Sequence, residues 1–154
     1  MYPYLIFFHS CFRWLVLAGL LTSIYRAYSG YTGHKPFTRT DNSVRHWTAT
    51  LTHIQLMLGL VLYFTSPVTQ YFLKNTKEAL QIRDITFFGL IHISVMVVSV
   101  LLVTVGSAMA KRQETDRDKF RTMLIWYGVA LLLIFVAIPW PFSPLANRPY
   151  FRTL

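Results

Sequence analysis

The sequence predicts an all-α integral membrane protein, built as a four-helix up-down bundle. The composition is 54% hydrophobic and only 14% charged, and the apolar residues fall into four segments joined by short connections. Soluble domains carry about 25% charged residues, so this composition is typical of a membrane protein. Short connections between helices favour antiparallel neighbours. We therefore expect residues 1–154 to form a single transmembrane domain.

Each apolar segment is long enough to cross a bilayer as one helix. About 20 residues at ~1.5 Å per residue span the roughly 30 Å of hydrocarbon. The proline pair Pro139 and Pro141 is expected to stop the last helix. The predicted helices cover approximately residues 4–28, 44–64, 84–110 and 120–138.

The other helix ends are expected at residues that favour caps and turns. Pro3 suits a helix start, and Gly30 and Gly33 are expected to end the first helix. Residues 65–83 are expected to hold a short helix at the membrane interface. The second helix has three candidate N-cap residues, which are Asp41, Asn42 and Ser43.

The cations are distributed unevenly between the two sides of the predicted bundle. The net charge is +9, and in so apolar a chain we attribute it to topology and anionic membrane lipid, not to nucleic acid. Nine cations belong to the first and third connections and their helix ends: Arg26, Lys35, Arg39, Arg45, Lys111, Arg112, Arg117, Lys119 and Arg121. Five belong to the opposite side: Lys74, Lys77, Arg83, Arg148 and Arg152. This bias predicts a multi-pass protein of the bacterial inner membrane with both termini in the periplasm.

Four ionisable residues lie well inside the hydrophobic parts of the predicted spanning helices, away from the helix ends: His9, Arg13, His53 and His92. Such groups are costly in hydrocarbon, about 2.5–3.5 kcal/mol for an arginine at mid-helix, and they mark functional sites. Arg13 has no acid on its own helix, and the closest acidic candidate is Asp84. Several histidines beside an arginine without an anion favour a bound cofactor, and b-type haem is our first choice.

A bis-histidine haem needs two imidazoles that face each other across the iron. His9 and His92 lie about two turns from the same side of the bundle, on helices expected to be diagonal, so we prefer them as the axial pair. His53 with His92 is the alternative pair. The spare histidine would bond a propionate or a quinone, and Arg13 would neutralise the anionic group. Small residues that would make room for a flat ring are Gly59, Gly89 and Ser99.

Other interpretations of the same residues stay open. Each histidine could instead hydrogen-bond a neighbouring helix, and Arg13 could reach outward to backbone carbonyls. The chain would then be a haem-free accessory subunit that packs with other inner-membrane subunits. A histidine-bound copper or zinc ion and a small transporter are weaker options. The chain lacks a Gly-rich phosphate loop and an HExxH motif, so an electron carrier or accessory subunit is favoured over a stand-alone enzyme.

Several motifs in this order resemble a family of small four-helix membrane proteins, common in the Bacteroidetes and described as "cytochrome b"-like. The motifs are His9-Ser10 with Arg13-Trp14, His53-Ile54-Gln55-Leu56, Gly59-Leu60, Tyr63-Phe64-Thr65-Ser66-Pro67, His92 with Met96, and Ile138-Pro139-Trp140-Pro141-Phe142. The resemblance covers nearly the whole chain and implies a haem-linked electron carrier or an accessory subunit. The family often has glutamate before the third-helix histidine, where this chain has Ile91, so a carboxylate that would orient His92 is missing.

Overall fold

The structure is a computed structural model that describes residues 2–150. Over that range the chain is all-helical, which confirms the predicted class. Four stretches within it are long and apolar enough to cross a membrane: Tyr2–Thr32, Arg39–Thr65, Arg83–Arg112 and Asp116–Ala137. They are compatible with a membrane helical bundle. Arg152, one of the five cations assigned to the opposite side of the bundle, lies outside the described residues.

The spanning stretches are joined by short elements on one side of the bundle. The helices are α1 (Tyr2–Thr32), α2 (Arg39–Thr65), α3 (Pro67–Lys74), α4 (Thr76–Ala79), α5 (Arg83–Thr86), α6 (His92–Arg112) and α7 (Asp116–Ala137). A π-helix at Phe87–Ile91 links α5 to α6. The connection at 65–83, expected to hold one short helix, therefore holds α3 and α4 and the start of α5.

The start of α2 corrects the prediction that Asp41, Asn42 or Ser43 caps this helix. The N-cap is Thr38, whose hydroxyl accepts from the Asp41 amide at 3.3 Å, while the Thr38 amide donates to the Asp41 carboxylate at 2.8 Å. This reciprocal capping box satisfies two amides that a helix start leaves unpaired. Because Asp41 is the third residue of the helix, the helix begins at Arg39, ahead of the predicted boundary.

Two further boundaries differ for similar local reasons. α1 does not end at Gly30 but continues to Thr32. Gly30 serves there as a packing position, since its lack of a side chain leaves room for the Phe120 ring. α7 begins at Asp116 because the Thr115 hydroxyl caps it by accepting from the Asp118 amide at 3.1 Å.

The four long helices form a ring in which α1 contacts α2 and α7, and α6 also contacts α2 and α7. α1 and α6 therefore face each other across the bundle. Two contacts join the ends of neighbouring long helices: Arg26, late in α1, pairs with Asp41, early in α2, and Arg45, early in α2, donates to Ser107, late in α6. The fully buried core side chains include Leu20, Val103, Met123 and Tyr127.

One end of the bundle is held by buried polar groups. Arg45 is 5% exposed and donates to the Ser107 carbonyl at 2.9 Å and to the Asn42 side chain at 2.8 Å. The Tyr127 hydroxyl donates to the Arg45 carbonyl at 2.9 Å. These bonds tie α2 to α6 and α7, and they matter because an unsatisfied polar group in a bilayer costs several kcal/mol.

Close helix packing depends on glycines. A Cβ at Gly106 on α6 would overlap the Trp126 side chain of α7, whereas a Cβ at Gly128 on α7 would meet nothing within 4 Å. Small residues at helix interfaces let backbones and large rings approach closely, which is a main source of stability in membrane bundles.

We expect Gly106→Ala to destabilise the protein and Gly128→Ala to leave it unchanged or slightly more stable. The overlap with Trp126 forces α6 and α7 apart at a cost of about 1–3 kcal/mol, which corresponds to a fall in Tm of roughly 5 °C for a chain of this size. Thermal unfolding of both variants in detergent, followed by circular dichroism, measures the difference. Equal Tm values for the two variants would contradict this packing.

Candidate functional site

A cavity of about 250 Å³ lies inside the ring of long helices. Its lining is mostly apolar and includes Leu56, Met96 and Ile134. The polar side chains that line it come from α1, α2, Ser66 and α3, α6 and the C-terminal segment: Tyr2, His9, Ser10, Arg13, Thr52, Gln55, Tyr63, Ser66, Thr69, His92 and Arg148. An apolar cavity with a few converging polar groups is the usual form of a small-molecule site.

Two imidazoles face this cavity from opposite sides. His9 on α1 and His92 on α6 have ring centroids 6.5 Å apart, with their planes inclined by 70°. The two helices lie across the bundle from each other, so the rings meet near its axis. The structure therefore brings together the two histidines that the sequence analysis preferred as a pair.

The orientation of His92 is set by the end of α7. Its Nδ1 lies 2.8 Å from the carbonyl oxygen of Ala137, the last residue of that helix. Carbonyls in the last turn of a helix have no partner within the helix. The helix stops there because Ile138, which precedes Pro139, is extended. A backbone carbonyl left free by this helix end thus accepts from His92, for which Ile91 supplies no carboxylate.

The π-helix before His92 adds further contacts around this ring. Phe87 and Phe88 lie with their centroids 5.6 and 6.2 Å from the His92 ring. The Tyr63 hydroxyl of α2 donates to the Gly89 carbonyl at 2.8 Å. π-Helical turns inside longer helices often occur at functional sites, because they rotate the following residues relative to the preceding ones.

His9 is held on one edge by α2. The Gln55 amide donates to the His9 carbonyl at 3.0 Å and lies 3.4 Å from the ring Nε2. Gly59 lies against the same ring, since a Cβ there would sit 3.3 Å from Cε1 of His9. The ring is thus positioned by α2 with at most one long hydrogen bond.

Three buried polar atoms around the cavity have no hydrogen-bond partner among residues 2–150. They are Nδ1 of His9, Nε of Arg13 and Oε1 of Gln55. All three residues line the cavity. Buried polar atoms are nearly always paired, so these three atoms are the groups with which a polar ligand in this cavity would pair.

Arg13 lies at the edge of the cavity between two indole rings. Its guanidinium carbon is 5.4 Å from the ring centroid of Trp14 and 5.8 Å from that of Trp140. One guanidinium nitrogen donates a hydrogen bond to the Tyr150 carbonyl. No carboxylate of the described chain forms an ion pair with Arg13. The expected acidic candidate, Asp84, instead pairs with Arg148 at 3.4 Å.

His53 lies elsewhere in the structure. Its Nε2 is 2.8 Å from the Thr104 hydroxyl of α6, its side chain is exposed, and it does not line the cavity. Of the residues expected to make room for a ring, Gly59 lines the cavity, while Gly89 and Ser99 do not.

Sequence reasoning missed the roles of Gln55, Arg148 and the Ala137 carbonyl. Gln55 follows His53 by two positions and so lies on a different face of α2. The sequence prediction considered only the face of α2 that carries the histidines. The Ile138-Pro139 pair after Ala137 did carry a signal, because a residue before proline disfavours the helical conformation and the last carbonyls of the helix are then left free.

Within residues 2–150, no group of three or more His, Cys, Asp or Glu side chains lies close enough to hold a metal ion. The protein side chains there do not form a cage of the kind that binds copper or zinc. A haem iron needs fewer protein ligands, since its porphyrin supplies the equatorial ligands and the protein supplies only the axial ones.

Comparisons of this chain with protein-family models, with curated proteins and with solved structures found no match. The function is therefore argued from the chemistry of the cavity and not from fold likeness.

We expect the His92 ring to carry a hydrogen on Nδ1, because a carbonyl oxygen only accepts hydrogen bonds. ¹⁵N NMR of protein labelled at histidine in detergent distinguishes the two ring nitrogens, and the signal lost in His92→Asn assigns them. A neutral ring with its hydrogen on Nε2 and a bare Nδ1 would contradict the contact with Ala137.

Proposed function

We propose that this chain is a b-type cytochrome-like electron-transfer protein that binds one haem between His9 and His92 in an up-and-down four-helix bundle. The observation that supports this is the 6.5 Å separation of the two ring centroids across one cavity. Two imidazoles on opposite sides of one metal have centroids roughly 6 Å apart, since each metal–nitrogen bond is about 2 Å and each ring centre lies about 1 Å further.

The surroundings of both rings suit axial ligands. Nδ1 of His92 is taken by the Ala137 carbonyl, which leaves Nε2 for iron, and a metal-bound histidine usually donates its other N–H to such a group. His9 has an unpaired ring nitrogen. The cavity, at about 250 Å³, is smaller than a haem, so binding requires flexible lining residues such as Met96 and Leu56 to move aside.

Two arginines suit the anionic edge of this cofactor. Arg13 has no carboxylate partner in the described chain, and Arg148 has only a long ion pair with Asp84. Both line the cavity, and a haem propionate would supply the missing anion. When bound, the haem supplies one-electron chemistry with a potential set by its axial ligands, burial and nearby charge.

We place the protein in the bacterial inner membrane, with both termini in the periplasm and the cation-rich end in the cytoplasm. The resemblance to "cytochrome b"-like proteins and the uneven distribution of cations support this placement. The membrane quinone pool and other inner-membrane subunits are the natural electron partners of such a protein.

A second candidate is a quinone ring in the same cavity in place of haem. The unpaired Gln55 Oε1 and His9 Nδ1 favour it, because a carbonyl oxygen or hydroxyl group of a quinone or quinol would pair with them. The cavity volume, just under the roughly 300–1,000 Å³ of typical ligand sites, also suits a single substituted ring.

We expect the detergent-purified protein to bind about one haem per chain, and His9→Ala and His92→Ala to lose most of it because each removes an axial ligand. His53→Ala is the matched control and keeps its haem. Pyridine haemochrome quantitation and a dithionite-reduced minus oxidised spectrum measure the result.

Circular dichroism and gel filtration check that every variant is folded. Loss of haem in His53→Ala with retention in His9→Ala would identify the other axial pair. A colourless protein that takes up no added haem rules out the haem proposal, and quinone binding to the same variants then tests the second candidate.

We expect Arg13→Gln to lower the midpoint potential of the bound haem, because removing a nearby cation favours the oxidised, more positive iron. A charge about 10 Å away at an effective dielectric constant near 20 gives a shift on the order of tens of mV. Spectroelectrochemical titration measures it, and Arg13→Lys, which keeps the charge, serves as the control. An unchanged potential in Arg13→Gln would show that Arg13 does not face the cofactor.

A further inference from the structure

A second cavity, of about 480 Å³, lies at the end of the bundle remote from the two histidines. It is formed where the connection before α2 meets the connection between α6 and α7. Its lining residues are Phe37, Thr38, Arg39, Asn42, Ser43, Lys111 and Lys119. Three of them are cations and none is an acid.

The positive charge of this cavity is largely uncompensated within residues 2–150. The side chains of Arg39 and Lys111 are exposed and form no hydrogen bond or ion pair there. Lys119 pairs with Asp116 at 3.1 Å. The buried carboxylate nearest in sequence, Asp41, is already bound to Arg26 at 2.7 Å and to Thr38.

The cavity lies where two of the candidate membrane-spanning helices begin and end. Arg39 is the first residue of α2, and Lys111 is in the last turn of α6. Phosphate groups of lipids lie at this level, and anionic lipids attract clustered lysine and arginine there.

An apolar surface continues from the cavity along α2. Ser43 lines the cavity, and Trp47 lies four residues later on the same face with 61% of its surface exposed. A ligand with a phosphate at one end and a hydrocarbon chain at the other would contact both. Indole rings are enriched at this membrane level for the same reason.

We propose that this cavity binds the phosphate group of an anionic phospholipid, with Arg39 and Lys111 as the main contacts and Trp47 beside its acyl chain. Free phosphate would offer the same anionic group to these cations. The adjoining apolar face favours the lipid, because only the lipid also carries a hydrocarbon chain. Haem binding at the other end of the bundle is not needed for it.

Native mass spectrometry of the full chain in detergent, titrated with phosphatidylglycerol, tests the proposal. We expect the double variant Arg39→Gln/Lys111→Gln to bind phosphatidylglycerol about tenfold more weakly or worse, because two charges near the phosphate are lost. The control Lys77→Gln/Arg83→Gln removes two exposed cations at the opposite end and leaves binding unchanged. All four residues are exposed, so both double variants are expected to fold.

Two further titrations identify the source of the anion. Phosphatidylcholine, which has a phosphate but no net charge, is expected to bind the wild type more weakly than phosphatidylglycerol, and inorganic phosphate is expected not to compete at equal concentration. Competition by inorganic phosphate would overturn the lipid assignment in favour of free phosphate. Equal binding of both lipids, or equal loss in both double variants, would overturn the site itself.

Discussion

The structure depends on the need to satisfy polar groups where water is scarce. The extended Ile138, which precedes Pro139, ends α7 and leaves the Ala137 carbonyl without a helical partner, and the ring of His92 lies 2.8 Å from that carbonyl. One hydrogen bond therefore gives a partner both to a carbonyl at a helix end and to a buried imidazole, each of which would otherwise be unpaired. It also ties α6 to the end of α7 and aims the other ring nitrogen away from the bond.

The two ends of the bundle meet this need differently. Toward the cation-rich end, hydrogen bonds of Arg45 with Ser107 and Tyr127 link α2 to α6 and α7. Around His9 and His92, polar atoms are left unpaired beside a cavity. The contacts that hold the helices together toward one end are therefore separate residues from the unpaired polar groups around the cavity of His9 and His92, and a change at the cavity leaves those contacts in place.

Much of the fold could be predicted because hydrocarbon imposes a simple rule on sequence. Four apolar stretches of sufficient length imply four helices, and these are present in residues 2–150. The boundaries were less accurate where a short local bond decides them. Thr38 and Asp41 form a capping box that starts α2 at Arg39, and a competing choice among Asp41, Asn42 and Ser43 could be excluded only by seeing which hydroxyl meets which amide.

The sequence by itself determined the helical class, the four apolar stretches and the short list of ionisable residues inside them, since these follow from hydrophobic length and the cost of burying charge. Only the tertiary structure decided which of those residues meet. His9 and His92 share a cavity, while His53 bonds Thr104, because the rotation of each helix about its axis is set by packing against its neighbours. Glycines such as Gly59 and Gly106 fix those rotations through contacts that no single helix contains.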